Sequence, residues 1–113
     1  MIESIIETQR KYFDDGKTLD VRTRLSYLKA LKKAIVANES KIAAALKTDL
    51  GKSPSESYMT EIGMVLEDLS CHIKHLKKWA KPKRRRSPLA QFPSKSYILP
   101  SPYGNTLIIS PWN

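Results

Sequence analysis

Apolar side chains recur every three or four residues along the N-terminal part of the chain, which is the spacing of one helix face. Four such stripes, separated by Gly16, Asn38 and Gly51, predict four helices. Gly16 and Gly51 suit the left-handed position that ends a helix, and Thr18 or Asp20 can cap the second helix. The stripe residues are Ile2, Ile5, Ile6, Tyr12 and Phe13; Val21, Leu25, Leu28, Leu31 and Ile35; Ile42, Ala45, Leu46 and Leu50; and Tyr58, Ile62, Val65, Leu66, Leu69, Ile73, Leu76 and Ala80.

Prolines limit the last helix and the segment after it. Lys52 to Glu56 contains Pro54 among serines, and this composition predicts a loop. Pro82 ends the long helix, because a proline disfavours helical backbone at the preceding residue. Five of the seven prolines lie between Pro82 and Pro102, which excludes a continuous helix there. Lys95 to Leu99 alternates loosely and is a candidate edge strand in this extended arm.

The last apolar run, Thr106 to Ile109, is β-branched and does not alternate. Such a run predicts a strand that is buried on both faces, as in a parallel sheet covered by helices. Tyr103-Gly104-Asn105 supplies the turn before it and Pro111 stops it. A doubly buried strand needs neighbours on both sides, and the chain offers at most one other short strand. We therefore expect a mainly α chain, with about four helices and two short strands, that forms the front end of a larger fold.

Composition agrees with a globular chain. The 113 residues are 41% hydrophobic and 27% charged, which leaves room for one modest domain. No run of about 18 apolar residues is present, so we expect no transmembrane helix. Met1 to Ser4 lacks the apolar core of a signal peptide, and Cys71 is the single cysteine. These features predict a cytoplasmic protein without an internal disulfide.

The net charge of +9 is concentrated in one region. Asp68 is the last acidic residue, and nine Lys or Arg residues follow it, eight of them between Lys74 and Arg86. Lys81 to Arg86 could be a nuclear-localisation or nucleic-acid patch. Phe92 and Tyr97 are too scattered for a base-stacking platform, so a solvated linker without nucleic-acid binding is favoured. A free-standing basic helical module that binds nucleic acid or protein nevertheless stays open as the alternative function.

The sequence offers little evidence for a metal site or for the common dinucleotide-binding motif. Cys71 and His75 are four residues apart and could share a helix face, but a structural zinc usually needs four ligands. A packed or half-exposed thiol and a solvated histidine are favoured, and no metal site is predicted. No Gly-x-Gly-x-x-Gly occurs, so the usual dinucleotide fingerprint does not contribute.

Thr106 to Asn113, preceded by Pro102-Tyr103-Gly104, closely resembles the first nucleotide-binding strand of the aldehyde dehydrogenases, nearest to the class 3 or fatty-aldehyde branch. Short motifs similar to those of the same branch occur upstream in the same order, so that the resemblance covers essentially the whole chain. They are Asp49-Leu50-Gly51-Lys52-Ser53-Pro54, Glu61-Ile62-Gly63, Val65-Leu66, Trp79-Ala80-Lys81-Pro82-Lys83 and Ser87-Pro88-Leu89. The clearest departures from that branch are Arg84-Arg85-Arg86 and Asn105.

The resemblance implies a fold and its division. The chain would be the N-terminal piece of an α/β aldehyde dehydrogenase fold with a Rossmann-like NAD-binding domain. Residues 1–81 would be the helical part of that domain, and residues 82–103 an extended arm that contributes to the oligomerisation region of a homodimer. Residues 104–113 would be the first, truncated strand of the cofactor-binding sheet.

The resemblance also implies a chemistry. In this family an aldehyde is oxidised to a carboxylic acid with NAD or NADP, through addition of a cysteine thiolate and without a metal. The amide of Asn113 would help form the oxyanion hole, although spacing alone favours a helix N-cap. Ile109, Ser110, Pro111 and Trp112 would line the cofactor groove. Cys71 lies outside the nucleophile motif, and the catalytic cysteine and glutamate are absent, so we expect this chain alone to be inactive.

Overall fold

The computed structural model describes residues 2–109 of the chain, and helices dominate them. The helices are α1 (Ile2–Asp14), α2 (Val21–Ala37), α3 (Glu39–Leu50), α4 (Pro54–Ser57) and α5 (Gly63–Trp79), with a π-helical turn at Tyr58–Ile62. Because α4, the π-helical turn and α5 follow one another directly, the described residues form four helical rods. A small sheet with strands β1 (Lys83–Arg85) and β2 (Ser96–Ile98) comes next, with a 3₁₀ turn at Leu89–Gln91 between them. The mainly α class with about four helices and two short strands is confirmed.

The helix limits lie where the capping residues predict them. Gly16 and Gly51 have φ angles of 71° and 70°, in the left-handed region that favours glycine. The side chain of Asp20 accepts a hydrogen bond from the backbone N–H of Arg22 and so caps α2. Asn38 separates α2 from α3.

The loop predicted from Lys52 to Glu56 is wrong in its second part, because α4 begins at Pro54. The Ser53 hydroxyl accepts a hydrogen bond from the Glu56 N–H at 3.2 Å, and the Glu56 carboxylate accepts one from the Ser53 N–H at 3.4 Å. This reciprocal pair is a capping box. Pro54 stands at the first helical position, where its missing N–H costs nothing. The same proline and serines that suggest a loop therefore start a helix.

The core lies between α2 and α5, which pack against each other. Its buried apolar residues are Leu25 on α2, Ile62 in the π-helical turn and Leu69 on α5. The Lys32 ammonium donates to the Ser70 hydroxyl at 2.7 Å and joins the same two helices. Many other stripe residues, on α1 above all, remain exposed. The helices thus bury a small core and leave further apolar faces on the surface.

Helix α1 meets the second helix at a pair of tyrosines. The hydroxyls of Tyr12 and Tyr27 form a hydrogen bond. This bond, followed by partial desolvation, raises the pKa of Tyr12 above its ordinary value. Tyr12 therefore keeps its proton at neutral pH, and its hydrogen bond with Tyr27 joins α1 to α2.

The extended arm forms an antiparallel hairpin in which Lys83 pairs with Ile98, Arg84 with Tyr97 and Arg85 with Ser96. Strand β2 confirms the edge strand predicted at Lys95 to Leu99. Strand β1 was not predicted, because a run of basic residues is typical of a solvated linker. A run of three cations has no apolar alternation, so the strand arises only from backbone pairing with β2.

The strand predicted at Thr106 to Ile109 is not formed in the described structure. These residues have no regular secondary structure, and the side chains of Leu107, Ile108 and Ile109 are 83%, 81% and 87% exposed. The physical reason is the lack of neighbours: the described residues form one sheet, and it consists of β1 and β2 alone. A place for this segment in a larger sheet stays a prediction, as do the domain limits 1–81, 82–103 and 104–113. Within residues 2–109, no helix combines the length and the apolar character needed to cross a bilayer.

Candidate functional site

The predicted site residues lie at the C-terminal end of the chain. Ile109 belongs to the described part and its side chain is exposed. Ser110, Pro111, Trp112 and Asn113 lie outside the described residues. The structure therefore shows the segment that precedes these residues in the chain, and the roles of all five stay predictions.

The approach to the site rests on α1. Gly104 has a φ angle of 92°, which favours glycine and turns the chain toward α1. A Cβ atom on Gly104 would lie 3.4 Å from the ring of Phe13, so the turn passes in direct contact with that ring. The amide of the next residue, Asn105, donates to the backbone carbonyl of Ile6 at 3.1 Å. Two adjacent contacts thus anchor the start of the site segment to the N-terminal helix.

In the sequence, Asn105 stands out only as a departure from the residues typical of the class 3 branch. Its contact with Ile6 spans 99 positions of sequence, and no local pattern predicts such a pair. One local feature could have indicated that Asn105 makes a contact: its amide side chain lies directly after the turn glycine Gly104 and before the apolar run that begins at Thr106.

A groove of about 490 Å³ runs between α1 and the segment 102–106. Tyr12 and Phe13 contribute aromatic walls to it, and Thr18 and Arg24 line it as well. The Oγ1 atom of Thr18 and the Nε atom of Arg24 are buried and have no hydrogen-bond partner among the described residues. A polar group, from water or from another segment of polypeptide, would satisfy them. The described lining of the groove contains no Cys, His, Asp or Glu side chain, so it offers no nucleophile paired with a base.

The cysteine and histidines of α5 form a cluster with Trp79. The Cys71 sulfur lies 3.5 Å from Nδ1 of His75, which agrees with a shared helix face. Trp79 stacks on His75 with ring centroids 5.6 Å apart and meets the edge of His72 at 5.3 Å. The thiol is exposed, more so than the packed or half-exposed state predicted. Among residues 2–109 no three side chains of the His, Cys, Asp and Glu types come together as metal ligands do.

Comparison with protein families gives one assignment for the whole chain. The family model described as "Aldehyde dehydrogenase family" matches residues 1–113. The 4,4'-diaponeurosporen-aldehyde dehydrogenase of Staphylococcus aureus is 45% identical over 113 residues, which are all of this chain and 25% of that protein. The aldehyde dehydrogenase family 3 protein comG of Dictyostelium discoideum is 45% identical over 109 residues, 96% of this chain and 23% of its own length.

A rat protein, "Aldehyde dehydrogenase, dimeric NADP-preferring", is 35% identical over 112 residues, 99% of this chain and 25% of the rat protein. A solved structure of the substrate-bound state of Staphylococcus aureus AldH is 44% identical to this chain. The superposition has a TM-score of 0.86, and the match covers 91% of this chain and 22% of the Staphylococcus aureus chain.

These matches agree in extent as well as in kind. The chain spans about a quarter of the length of the curated relatives it matches, 23–25% of each of the proteins just named. The relatives include members of class 3, which is the branch that the sequence motifs of this chain resemble. The family model covers the whole chain and the relatives are 35–45% identical over nearly all of it, so the chain belongs to the aldehyde dehydrogenase family.

Proposed function

We propose that the full-length protein carrying this chain is an NAD(P)-dependent aldehyde dehydrogenase that oxidises aldehydes to carboxylic acids through a cysteine thiohemiacetal. The observation that carries this proposal is the match of the family model from residue 1 to residue 113. The nucleophilic cysteine and the glutamate base do not belong to this chain, whose one thiol, Cys71, is held on an outer helix face. The chain contributes to the site rather than forming it.

Asn113 is the residue of this chain that acts on the substrate in the proposal. Addition of a thiolate to an aldehyde produces a negatively charged oxygen. A fixed side-chain amide stabilises that charge where it develops, and such a donor acts more strongly on the transition state than on the neutral carbonyl. The anchored turn at Gly104 and Asn105 supports this role, because it gives the segment that leads to Asn113 a defined starting point.

Ile109, Ser110, Pro111 and Trp112 would form one wall of the nicotinamide cofactor groove. Ile109 fits this part, because its apolar side chain is exposed and available to a bound ring. When bound, the cofactor supplies an acceptor for the hydride that leaves the substrate carbon. The relative named NADP-preferring supports a nicotinamide cofactor, and both NAD and NADP belong to the proposal.

The arm at residues 82–103 would contribute to contact between the two subunits of a homodimer. Each strand of the hairpin pairs on one side only, so an outer edge of the sheet can accept a further strand. A relative whose name includes the word "dimeric" supports this assembly. A cytoplasmic location completes the proposal, and the single cysteine, which leaves this chain without an internal disulfide, is compatible with it.

The test is an assay of the full-length protein with a panel of short and long aldehydes and each of the two cofactors. We expect reduced cofactor and carboxylic acid to form in equal amounts, and only when aldehyde is present. The 113-residue chain serves as the control, and we expect no activity from it. Activity of that chain that Cys71→Ser abolishes would contradict the assignment of the nucleophile, and a full-length protein inactive on every aldehyde would contradict the function.

A further inference from the structure

The start of the predicted site segment, residues 104–113, is attached to α1 at two adjacent positions. Gly104 passes so close to the ring of Phe13 that a Cβ atom on it would lie 3.4 Å away. The side-chain amide of Asn105 donates to the backbone carbonyl of Ile6 at 3.1 Å. A carbonyl oxygen has two lone pairs, so that of Ile6 can accept this bond and keep its bond within the helix. The chain makes both contacts with itself, so neither depends on a surface that must stay free.

The turn at Gly104 does not by itself explain an asparagine at position 105. Asparagine is common in turns because it tolerates left-handed backbone. Among residues 2–109, however, the only positive φ angles belong to glycines, so Asn105 is not needed for its backbone conformation. Its side-chain nitrogen instead bonds to a carbonyl 99 positions away. The side chain therefore joins two distant parts of the chain.

Helix α1 is in turn attached to the helical core. The hydroxyl of Tyr12 forms a hydrogen bond with that of Tyr27 on α2, and α2 packs against α5 where Leu25 and Leu69 are buried. Helix α1 thus links the start of the site segment to the most buried part of the described chain. Such a fixed point matters for a strand, because a slip of one residue moves each side chain by about 3.3 Å and to the opposite face.

We propose that Asn105 is a positioning residue for the oxyanion hole, which acts through α1 to fix the register of the segment that leads to Asn113. In this role Asn105 contacts neither substrate nor cofactor. An oxyanion donor is effective only when it is held where the charge develops, and a displacement of about 1 Å can lower a rate about 10²-fold. The inference rests on the proposed function, since Asn113 acts on an aldehyde there, but the attachment of the segment can be measured without activity.

The experiment compares Asn105→Ala and Asn105→Asp in the full-length protein. The first removes the donor, and the second keeps its shape but, as a carboxylate at neutral pH, can only accept. We expect both to lower kcat about tenfold or more. The dissociation constant of the cofactor should change much less, because a hydrogen bond weakens steeply with misalignment and apolar contacts do not.

Asn38→Ala is the matched control. The amide of Asn38 donates to the backbone carbonyl of Ala34 in α2 at 2.8 Å, which is the same kind of bond at a place outside the site segment. The same substitution there should leave kcat unchanged.

Two further measurements separate positioning from a general loss of structure. In a protein that already carries Asn113→Ala, Asn105→Ala should lower kcat no further, because the amide that it positions is gone. Hydrogen exchange of the amides of residues 106–109 in the full-length protein should become faster in Asn105→Ala and stay the same in Asn38→Ala.

Three kinetic results would overturn the positioning role and leave the proposed function standing. They are an unchanged kcat in Asn105→Asp, equal losses in Asn105→Ala and Asn38→Ala, and independent, multiplying losses from Asn105→Ala and Asn113→Ala. Inactivity of the wild-type protein on every aldehyde would instead contradict the proposed function, and with it the role in an oxyanion hole. Faster exchange in Asn105→Ala would then still support attachment of the segment by Asn105, and unchanged exchange would overturn it.

Discussion

Single residues decide where the elements of this chain begin and where the predicted chemistry lies. Ser53 and Glu56 cap each other's backbone, and α4 begins at Pro54, three residues after the left-handed Gly51 that ends α3. At the other end, Asn105 attaches the site segment to α1 through one hydrogen bond. The capping contact joins residues three positions apart, so the local sequence predicts it. The contact of Asn105 with Ile6 joins residues 99 positions apart, so the local sequence does not predict it.

Removal of the Ser53 cap should destabilise the helices measurably. We expect Ser53→Ala to lower the free energy of unfolding by about 0.5–2 kcal/mol, because the Glu56 N–H loses its acceptor. The measurement is urea denaturation followed by circular dichroism. Ser55→Ala is the control, since Ser55 is an exposed serine inside the same helix. Equal losses in the two variants would show that the capping box does not stabilise α4.

Asn113 carries the prediction for catalysis. In the full-length enzyme, Asn113→Ala should lower turnover by roughly 10²–10³-fold, the usual effect of losing one oxyanion-hole donor. The dissociation constant of the cofactor should stay nearly the same, because the amide acts on the substrate oxygen. Pre-steady-state kinetics under conditions where chemistry limits the rate is the suitable measurement. An unchanged rate constant there would remove Asn113 from the mechanism.

At the scale of elements, the helices were predictable and the strands were only partly so. A helix forms from contacts three and four residues apart, so its apolar stripe is visible in the sequence. Strand β1 depends on a partner 11 to 15 positions away, by the pairing of Arg85 with Ser96 and of Lys83 with Ile98. Its three basic residues do not alternate with apolar ones, so the sequence lacks the periodicity that predicts a strand. The segment 106–109 shows the reverse case, in which the local signal for a strand is clear but the described residues contain no neighbour for it.

The hairpin leads to a prediction about assembly. Deletion of Lys95 to Leu99 removes β2 and leaves β1 without a partner. In the full-length protein it should weaken the homodimer before it weakens the helical rods, because the core residues Leu25, Ile62 and Leu69 lie elsewhere. Analytical ultracentrifugation gives the dimer constant, and circular dichroism reports on the helices. An intact dimer after the deletion would contradict an intersubunit role for the arm.

At the scale of the whole molecule, the described chain leaves much of its apolar surface uncovered. The exposed run Leu107, Ile108 and Ile109 is the clearest case, and burial of each such side chain contributes about 1.5–3 kcal/mol. Unpaired strand backbone also favours edge-to-edge association. We therefore expect the isolated 113-residue chain to self-associate or to remain loosely folded in this segment. Sedimentation at several concentrations would show an average mass that rises with concentration in the first case.

The family of the chain could be predicted from the sequence, whereas the roles of the candidate site residues stay predictions. The ordered words from Asp49 to Asn113 resemble one family, and the family match over residues 1–113 confirms the assignment. Neither periodicity nor spacing predicts where the side-chain amide of Asn113 lies, and its role in an oxyanion hole came only from the resemblance. The anchoring of the segment by Ile6 and Phe13 became visible only in three dimensions.

Hydrogen exchange at Leu107, Ile108 and Ile109 tests most directly the claim that this chain is one part of a larger aldehyde dehydrogenase sheet. The account predicts rapid exchange of these amides in the isolated chain when it is monomeric, and strong protection in the full-length protein, where the neighbouring strands are present. Strong protection in the monomeric 113-residue chain would contradict the account, because the segment would then have found its partners within this chain.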